Sequence, residues 1–264
     1  MDYDLVILEA SGAALGLAEA LQSQYRILVL NRTAMVAAEF VNAFRPCVGR
    51  LIPGSPPARA ILSGLEQERL LAFDQCRVYS AGPLLDHAFS QLTCDQRYET
   101  DLLAMEPAPG GYELEIVNRS GTRKIKTRVL VDTRDTALPN PRTLNAILVS
   151  RDTAAPTPPD SGAMTFFREA DPTPPTAILQ LACSQSESLF AARHRLIESW
   201  ASVANQNPAW KIAAIALAFA VVPDASSPVA LKEPSGWIRL PSAAFPNLLA
   251  AIDAGYRLGK ELPL

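Results

Sequence analysis

The chain has 264 residues, enough to fill one large core or two modest ones. Hydrophobic residues make up 48% and charged residues 19%, with 24 basic against 27 acidic side chains and a formal net charge of −3. That balance excludes the basic footprint of a nucleic-acid binder, and the longest uncharged apolar run, residues 212–222, falls well short of the roughly 20 needed to cross a bilayer.

In chain order, the continuous apolar run over 5–8 predicts a strand buried on both faces. A helix follows over 12–22 on the stripe Leu15, Leu17, Ala18 and Leu21, then a second strand over 26–30, so close that a parallel crossover is expected. Residues 33–44 predict another helix, and "RPCVGRLIPGSPPARA" a connection broken by Pro and Gly. Further helices are expected over 59–69 and 84–92, with a strand over 76–79 between them. Residues 98–105 predict extended chain, and "YELEIVNRSGTRKIKTRVLVDT" a hairpin whose second strand returns to the buried sheet at Val129, Leu130 and Val131. Arg119, Arg123, Lys124, Lys126 and Arg128 are read as a solvated face of that hairpin.

Eight prolines between Pro139 and Pro175 argue against long helices, so strands over 144–150, 163–168 and 177–183 are expected to form an antiparallel sheet. Helices are predicted over 187–205, through Leu189, Phe190, Ile197 and Trp200, and over 209–221. The last helix begins at Asn247, an N-cap, with Leu248, Leu249, Ile252 and Leu258 facing inward. Two regions result: residues 1–136 with 230–264, and residues 137–229 between them.

Three stretches, "YDLVILEASGAALGLAEALQSQYRILVLN", "TRKIKTRVLVDTRDT" and "LPSAAFPNLLAAIDAGYRLGKEL", resemble the FAD-dependent oxidoreductases of the two-domain, glutathione-reductase-like and glycine-oxidase-like class. The resemblance implies an α/β fold, with a Rossmann-like FAD/NAD(P)-binding parallel sheet and a smaller antiparallel-sheet region inserted. In that class a glycine makes the first tight turn, a second admits the phosphates and a third lets helix and strand approach. The matching positions here are Glu9, Ser11 and Ala14. A carboxylate at Glu9 would oppose a pyrophosphate in a partly dry site. If FAD is bound, the resemblance places Ser11, Gly12, Asn31, Arg32, Thr133, Asp135 and Asn247 beside it. Glu9 and Arg134 are expected to pair and fill the vacated phosphate niche. Gly12 and Gly16 are read as allowing helix α-turns to pack closely on the sheet.

Cys47, Cys76, Cys94 and Cys183 form no CxxC pair, and with only two histidines, His87 and His194, no metal centre is expected. Cys47 is a candidate redox thiol, since the resemblance carries its segment near a flavin ring. The leading expectation is a relative that has lost FAD and its catalytic role, acting as an interaction or structural subunit with a protein partner or a second copy. The alternative is an FAD-dependent oxidoreductase acting on a small organic substrate through an atypical phosphate turn. A different small-molecule ligand in the cleft is a third reading. Asp2 and Asp4 stand where a signal peptide is basic, so a cytoplasmic location is expected.

Overall fold

The computed structural model describes residues 1–48, 51–72, 75–135, 138–169, 174–223, 231–232 and 236–262. It opens with β1 (Tyr3–Leu8), α1 (Gly12–Leu21) and β2 (Ile27–Leu30). β1 and β2 pair in parallel from Leu5 opposite Ile27 to Leu8 opposite Leu30, and every β2 side chain is buried. β3 (Cys47–Val48), α2 (Pro56–Gln67), β4 (Leu71–Ala72) and β5 (Gln75–Cys76) follow, the three short strands forming a small antiparallel sheet. Next come α3 (Gly82–Ser90), β6 (Asp95–Arg97), β7 (Asp101–Ala108), β8 (Gly111–Asn118) and β9 (Gly121–Asp132). The inserted region holds β10 (Arg142–Ser150), β11 (Met164–Arg168), β12 (Thr176–Cys183), α4 (Leu189–Ala204), β13 (Trp210–Ile215) and β14 (Ala220–Val221). β15 (Leu231–Lys232), β16 (Trp237–Arg239) and α5 (Leu248–Glu261) close the chain.

The main sheet runs β15-β16-β9-β1-β2-β6, with β8 and β7 attached through β9. β9 changes partners along its length. Its first half pairs antiparallel with β8 from Asn118 opposite Gly121, and its end runs parallel to β1 with Val129 opposite Leu5. Alternation along β1 therefore serves two cores. Leu5 and Ile7 face the helices, while Val6 and Leu8 join Tyr112, Leu114, Ile116 and Ile125 under the hairpin. On the hairpin's outer surface Lys124 and Lys126 pair with Glu113 and Arg128 with Asp4, a solvated charged face.

Gly16 serves helix-on-helix contact, not contact with the sheet. A Cβ on Gly16 would stand 1.9 Å from the Ile252 carbonyl oxygen of α5, and one on Gly255 the same distance from the Ala13 carbonyl oxygen. The two helices thus touch backbone to backbone, which fixes the start of α1 against the start of α5.

The second sheet is ordered β11-β12-β10-β13, with β14 also on β10, and α4 covers it through Ala192, Leu196, Trp200 and Val203. Phe190 and Ile197, two of the residues whose spacing predicts this helix, are 84% and 52% exposed. The helix expected over 209–221 is replaced by β13 and β14. Its alanines and isoleucines suit either period, and β10 supplies the deciding interaction, an open edge that takes Trp210–Ile215 and Ala220–Val221. The helix expected over 33–44 is a series of turns, with positive φ at Ala37 and Phe44. The strand expected over 76–79 stops at Cys76 and passes into a 3-10 turn at Val78–Ser80.

Candidate dinucleotide cleft

β1 delivers the chain to α1 through Glu9, whose φ is +77°. The turn that a glycine makes freely is thus kept by a glutamate at a strained angle. Ser11 caps α1: its Oγ accepts the Ala14 amide at 3.1 Å and donates to Thr133 Oγ1 at 2.8 Å. Thr133 Oγ1 in turn donates to the Leu8 carbonyl at 2.7 Å, so the end of β9 is tied to the end of β1.

The remaining amides of the first turn are also taken. Gly12 N–H donates to Glu39 Oε1 at 2.9 Å, and Ala13 N–H to Ser242 Oγ at 3.1 Å. Ser242 Oγ donates to the same Glu39 oxygen at 2.6 Å. A helix N-terminus offers unpaired N–H groups and a partial positive charge to an anion; here that place is taken by the protein's own Glu39 carboxyl. Its Oε2 is sealed from solvent and has no hydrogen-bond partner among the described residues. Burial pushes the Glu39 carboxyl up to about 7, against the opposing effect of the Ser242 and Gly12 hydrogen bonds. Arg45, buried nearby, donates to the Ala243 and Phe245 carbonyls at 2.8 and 2.7 Å and so clamps the turn that carries Ser242 ahead of α5.

Glu39 lines a cavity of about 170 Å³ together with Glu9, Arg32, Arg134 and Asp135. Burial raises the Glu9 carboxyl, with Arg32 and then Arg134 pulling it back and Asp135 adding to the rise. Burial likewise raises Asp135. The expected ion pair between Glu9 and Arg134 does not form. Arg134 instead grips Asp132, Nε to Oδ1 at 2.8 Å and Nη2 to Oδ2 at 2.7 Å, a bidentate pair two residues apart whose Oδ1 also accepts the Arg134 main-chain amide. Glu9 and Arg134 share the cavity wall and act on one another through charge, without a direct ion pair.

The other sequence candidates are placed as follows. Asn31 is buried and fully used by backbone: Oδ1 accepts the Ala10 amide, and Nδ2 donates to the Thr33 and Met35 carbonyls. Asn247 caps α5, accepting the Ala250 amide at 2.9 Å. Arg32 is exposed at the mouth of the cavity and also borders a neighbouring space of about 440 Å³, lined further by Asn140, Arg142 and Phe219. Cys47 lies away from the cavity, opposite Cys76 in the small sheet. Glu39, Ser242 and Arg45 were not singled out from sequence.

The second sheet lies directly against this cleft. Leu217 and Ala218 donate their amides to the Asn42 carbonyl at 2.9 and 3.3 Å, and the buried Asn145 Nδ2 donates to the Ala43 and Phe44 carbonyls. An FAD would need the α1 amides for its pyrophosphate and an open channel between the sheets for its ring. Ligand pockets usually run to about 300–1,000 Å³. The cavity of about 170 Å³ and the neighbouring space of about 440 Å³ share Arg32, Asp135 and Phe219, so size does not exclude a ligand; it is the engaged amides of Gly12, Ala13 and Ala14, with Glu9, Glu39 and Asp135 around them, that do not fit a pyrophosphate as arranged.

No family model matches the chain, and no curated protein matches it. Among solved structures it is similar to BexE, studied for oxidation during BE-7585A biosynthesis, with a TM-score of 0.62 and 14% identity over 98% of this chain and 62% of BexE. It is similar to a flavoprotein/dehydrogenase from Cytophaga hutchinsonii, with a TM-score of 0.60 and 10% identity over 98% of this chain and 77% of the other. A third is aklavinone-11 hydroxylase in a ternary complex with FAD and aklavinone, with a TM-score of 0.56 and 13% identity over 98% and 62% of the two chains. The likeness is one of fold: a Rossmann-like sheet with an inserted antiparallel sheet, the architecture of two-domain FAD-binding flavoproteins. The chain spans 62% of the length of BexE.

Among the described residues, no helix is long and apolar enough to cross a membrane.

Proposed function

We propose that this chain keeps the flavoprotein frame without holding FAD, and serves as a non-catalytic interaction or structural subunit. The observation that carries the reading is the Glu39 carboxyl on the Gly12 amide, an internal acceptor where the fold would otherwise receive a phosphate. The strained Glu9 and the saturated Asn31 support it, because the residues nearest a dinucleotide are committed to backbone or to one another. Residues 1–136 with 230–264 form the frame in this reading, and 137–229 the region laid across it.

A second reading is favoured by the fold itself, shared over 98% of the chain with a hydroxylase seen in complex with FAD. In it the chain is an FAD-dependent oxidoreductase acting on a small organic substrate, and Glu39 must leave the α1 amides before the cofactor enters. An absorption spectrum of the purified full-length protein separates the two. Colourless protein whose thermal unfolding does not move on adding FAD supports the first, since a ligand preferring the native state raises the unfolding temperature. Yellow protein with stoichiometric flavin replaces it with the second.

A further inference from the structure

Cys47 and Cys76 lie far apart in sequence but face each other directly in the antiparallel ladder between β3 and β5. Both thiols are buried, at 5% and 6% exposure. The surroundings of the two sulfurs differ. Cys47 feels the Cys76 thiol first, then the Arg45 guanidinium and the Leu248 amide at the start of α5. The Cys76 thiol, helped by Arg45 and Leu248, holds Cys47 below the usual thiol range against its burial, whereas the Cys47 thiol and then burial push Cys76 up. Burial also raises Cys94, to about 11, and raises Cys183. A thiolate is the reactive form of cysteine, and the direct facing of the two residues across the ladder sets a second sulfur beside whichever one reacts, Cys47 being the one whose charged form is favoured.

We propose that Cys47 and Cys76 form a peroxide-reactive dithiol, with Cys47 the attacking sulfur and Cys76 the resolving one. The Cys47 thiolate attacks one oxygen of hydrogen peroxide, the O–O bond breaks, and Cys47 becomes a sulfenic acid. The leaving oxygen departs as hydroxide and takes up the proton that Cys47 released, giving water. The Cys76 sulfur then attacks the Cys47 sulfur, the S–S bond forms, the S–O bond breaks, and the second oxygen leaves with the Cys76 proton as water. The dithiol has lost two electrons and the peroxide has gained them. Two molecules of a small thiol reverse the step by exchange. The burial of both sulfurs selects a small neutral oxidant. Closing the bond would tie β3 to β5 beside Arg45, the residue that clamps the start of α5.

The test treats the folded full-length protein with hydrogen peroxide, counts remaining thiols and maps linked peptides by mass spectrometry. The expected result is loss of two of the four thiols, a Cys47–Cys76 linked peptide, and recovery of both thiols with dithiothreitol. A Cys94→Ser/Cys183→Ser variant should form the same link. Cys76→Ser should instead accumulate a sulfenic acid at Cys47 that dimedone traps. Peroxide-treated wild-type protein without that link, whether oxidised first at Cys94 or Cys183 or left unreacted while free glutathione is consumed, overturns the proposal. That readout is indifferent to whether the chain binds FAD.

Discussion

Glu39 Oε1 stands 2.9 Å from the Gly12 amide nitrogen and 2.6 Å from Ser242 Oγ, so one carboxylate joins the start of α1 to the turn before α5. A tethered anion competes with a free one on favourable terms, because binding it costs no loss of translational freedom. The helix terminus thereby becomes a contact within the core. Removing that carboxylate should reopen it. Glu39→Ala frees the Gly12 amide and the Ser242 hydroxyl and deletes one negative charge from the cavity. A single charge-assisted hydrogen bond is worth about 1.5–3 kcal/mol, so the variant should bind FAD or ADP at least about tenfold more tightly than wild type. Isothermal titration of both proteins reads this directly. Equal affinities would mean that Glu39 is not what keeps the phosphate out.

The same residue sets a pH dependence. Its carboxyl lies at about 7 in the folded chain against an ordinary value of 4.5, so between those limits the native state holds more protons than the unfolded one. Stability from this group is therefore full below the lower limit and falls as pH rises through the window, then levels off. The total loss is about 3 kcal/mol at most. Glu9 and Asp135, whose carboxyls are also raised by burial, act in the same direction. Glu39→Gln removes the titration while keeping an oxygen for the Gly12 amide. Urea unfolding should show the variant gaining on wild type between about pH 5 and about pH 8. A constant difference would remove Glu39 as the titrating group.

Glu9 carries a φ of +77° that glycine would adopt without strain. A left-handed conformation costs an ordinary residue roughly 1–2 kcal/mol, partly offset by the greater freedom of glycine in the unfolded chain. Glu9→Gly also takes a half-buried carboxylate out of the cavity wall. Stability near neutral pH should rise by about 1 kcal/mol, measured as a higher urea midpoint with an unchanged slope. The substitution should not by itself admit FAD, because Glu39 still covers the Gly12 amide. If Glu9→Gly alone yields a yellow protein, the obstacle lies at residue 9.

The frame was legible because its signals are local. The apolar runs of β1 and β2, the small-residue face of α1 and the Asn247 cap each announce themselves within a few residues. The positions that depart from a phosphate-binding turn, Glu9, Ser11 and Ala14, were equally readable. What fills the space was not. Arg134 looked like the natural partner of Glu9, yet Asp132 lies two residues away and claims the guanidinium first. The actual occupant, Glu39, meets Gly12 across 27 residues, and Ser242 meets Ala13 across 229, contacts that no local pattern in either segment announces. β13 was misread for a related reason, since its residues tolerate either period and the free edge of β10 decided between them. The facing of Cys47 and Cys76 depends on the fold of the connection between them, which spacing alone does not reveal.

The geometry of the cleft rests in turn on how closely α1 and α5 approach. A Cβ at Gly16 would lie 1.9 Å from the Ile252 carbonyl oxygen and 2.8 Å from the Tyr256 nitrogen, both main-chain atoms that cannot rotate away. Gly16→Ala must therefore separate the helices, and with them the Ala13 contact to Ser242 and the Gly12 contact to Glu39. The expected loss is about 3 kcal/mol or more, at the upper end of overpacking effects. Gly82→Ala is the matched control: it lies in α3 with its nearest atom, Val41 Cγ1, at 3.7 Å, an ordinary contact. That variant should stay within about 0.5 kcal/mol of wild type. Thermal or urea unfolding of the pair distinguishes a specific helix contact from a general intolerance of alanine at buried glycines. Equal stability of the two variants would show that α1 and α5 have room to spare, and the alignment of Glu39 with the α1 amides would lose its anchor.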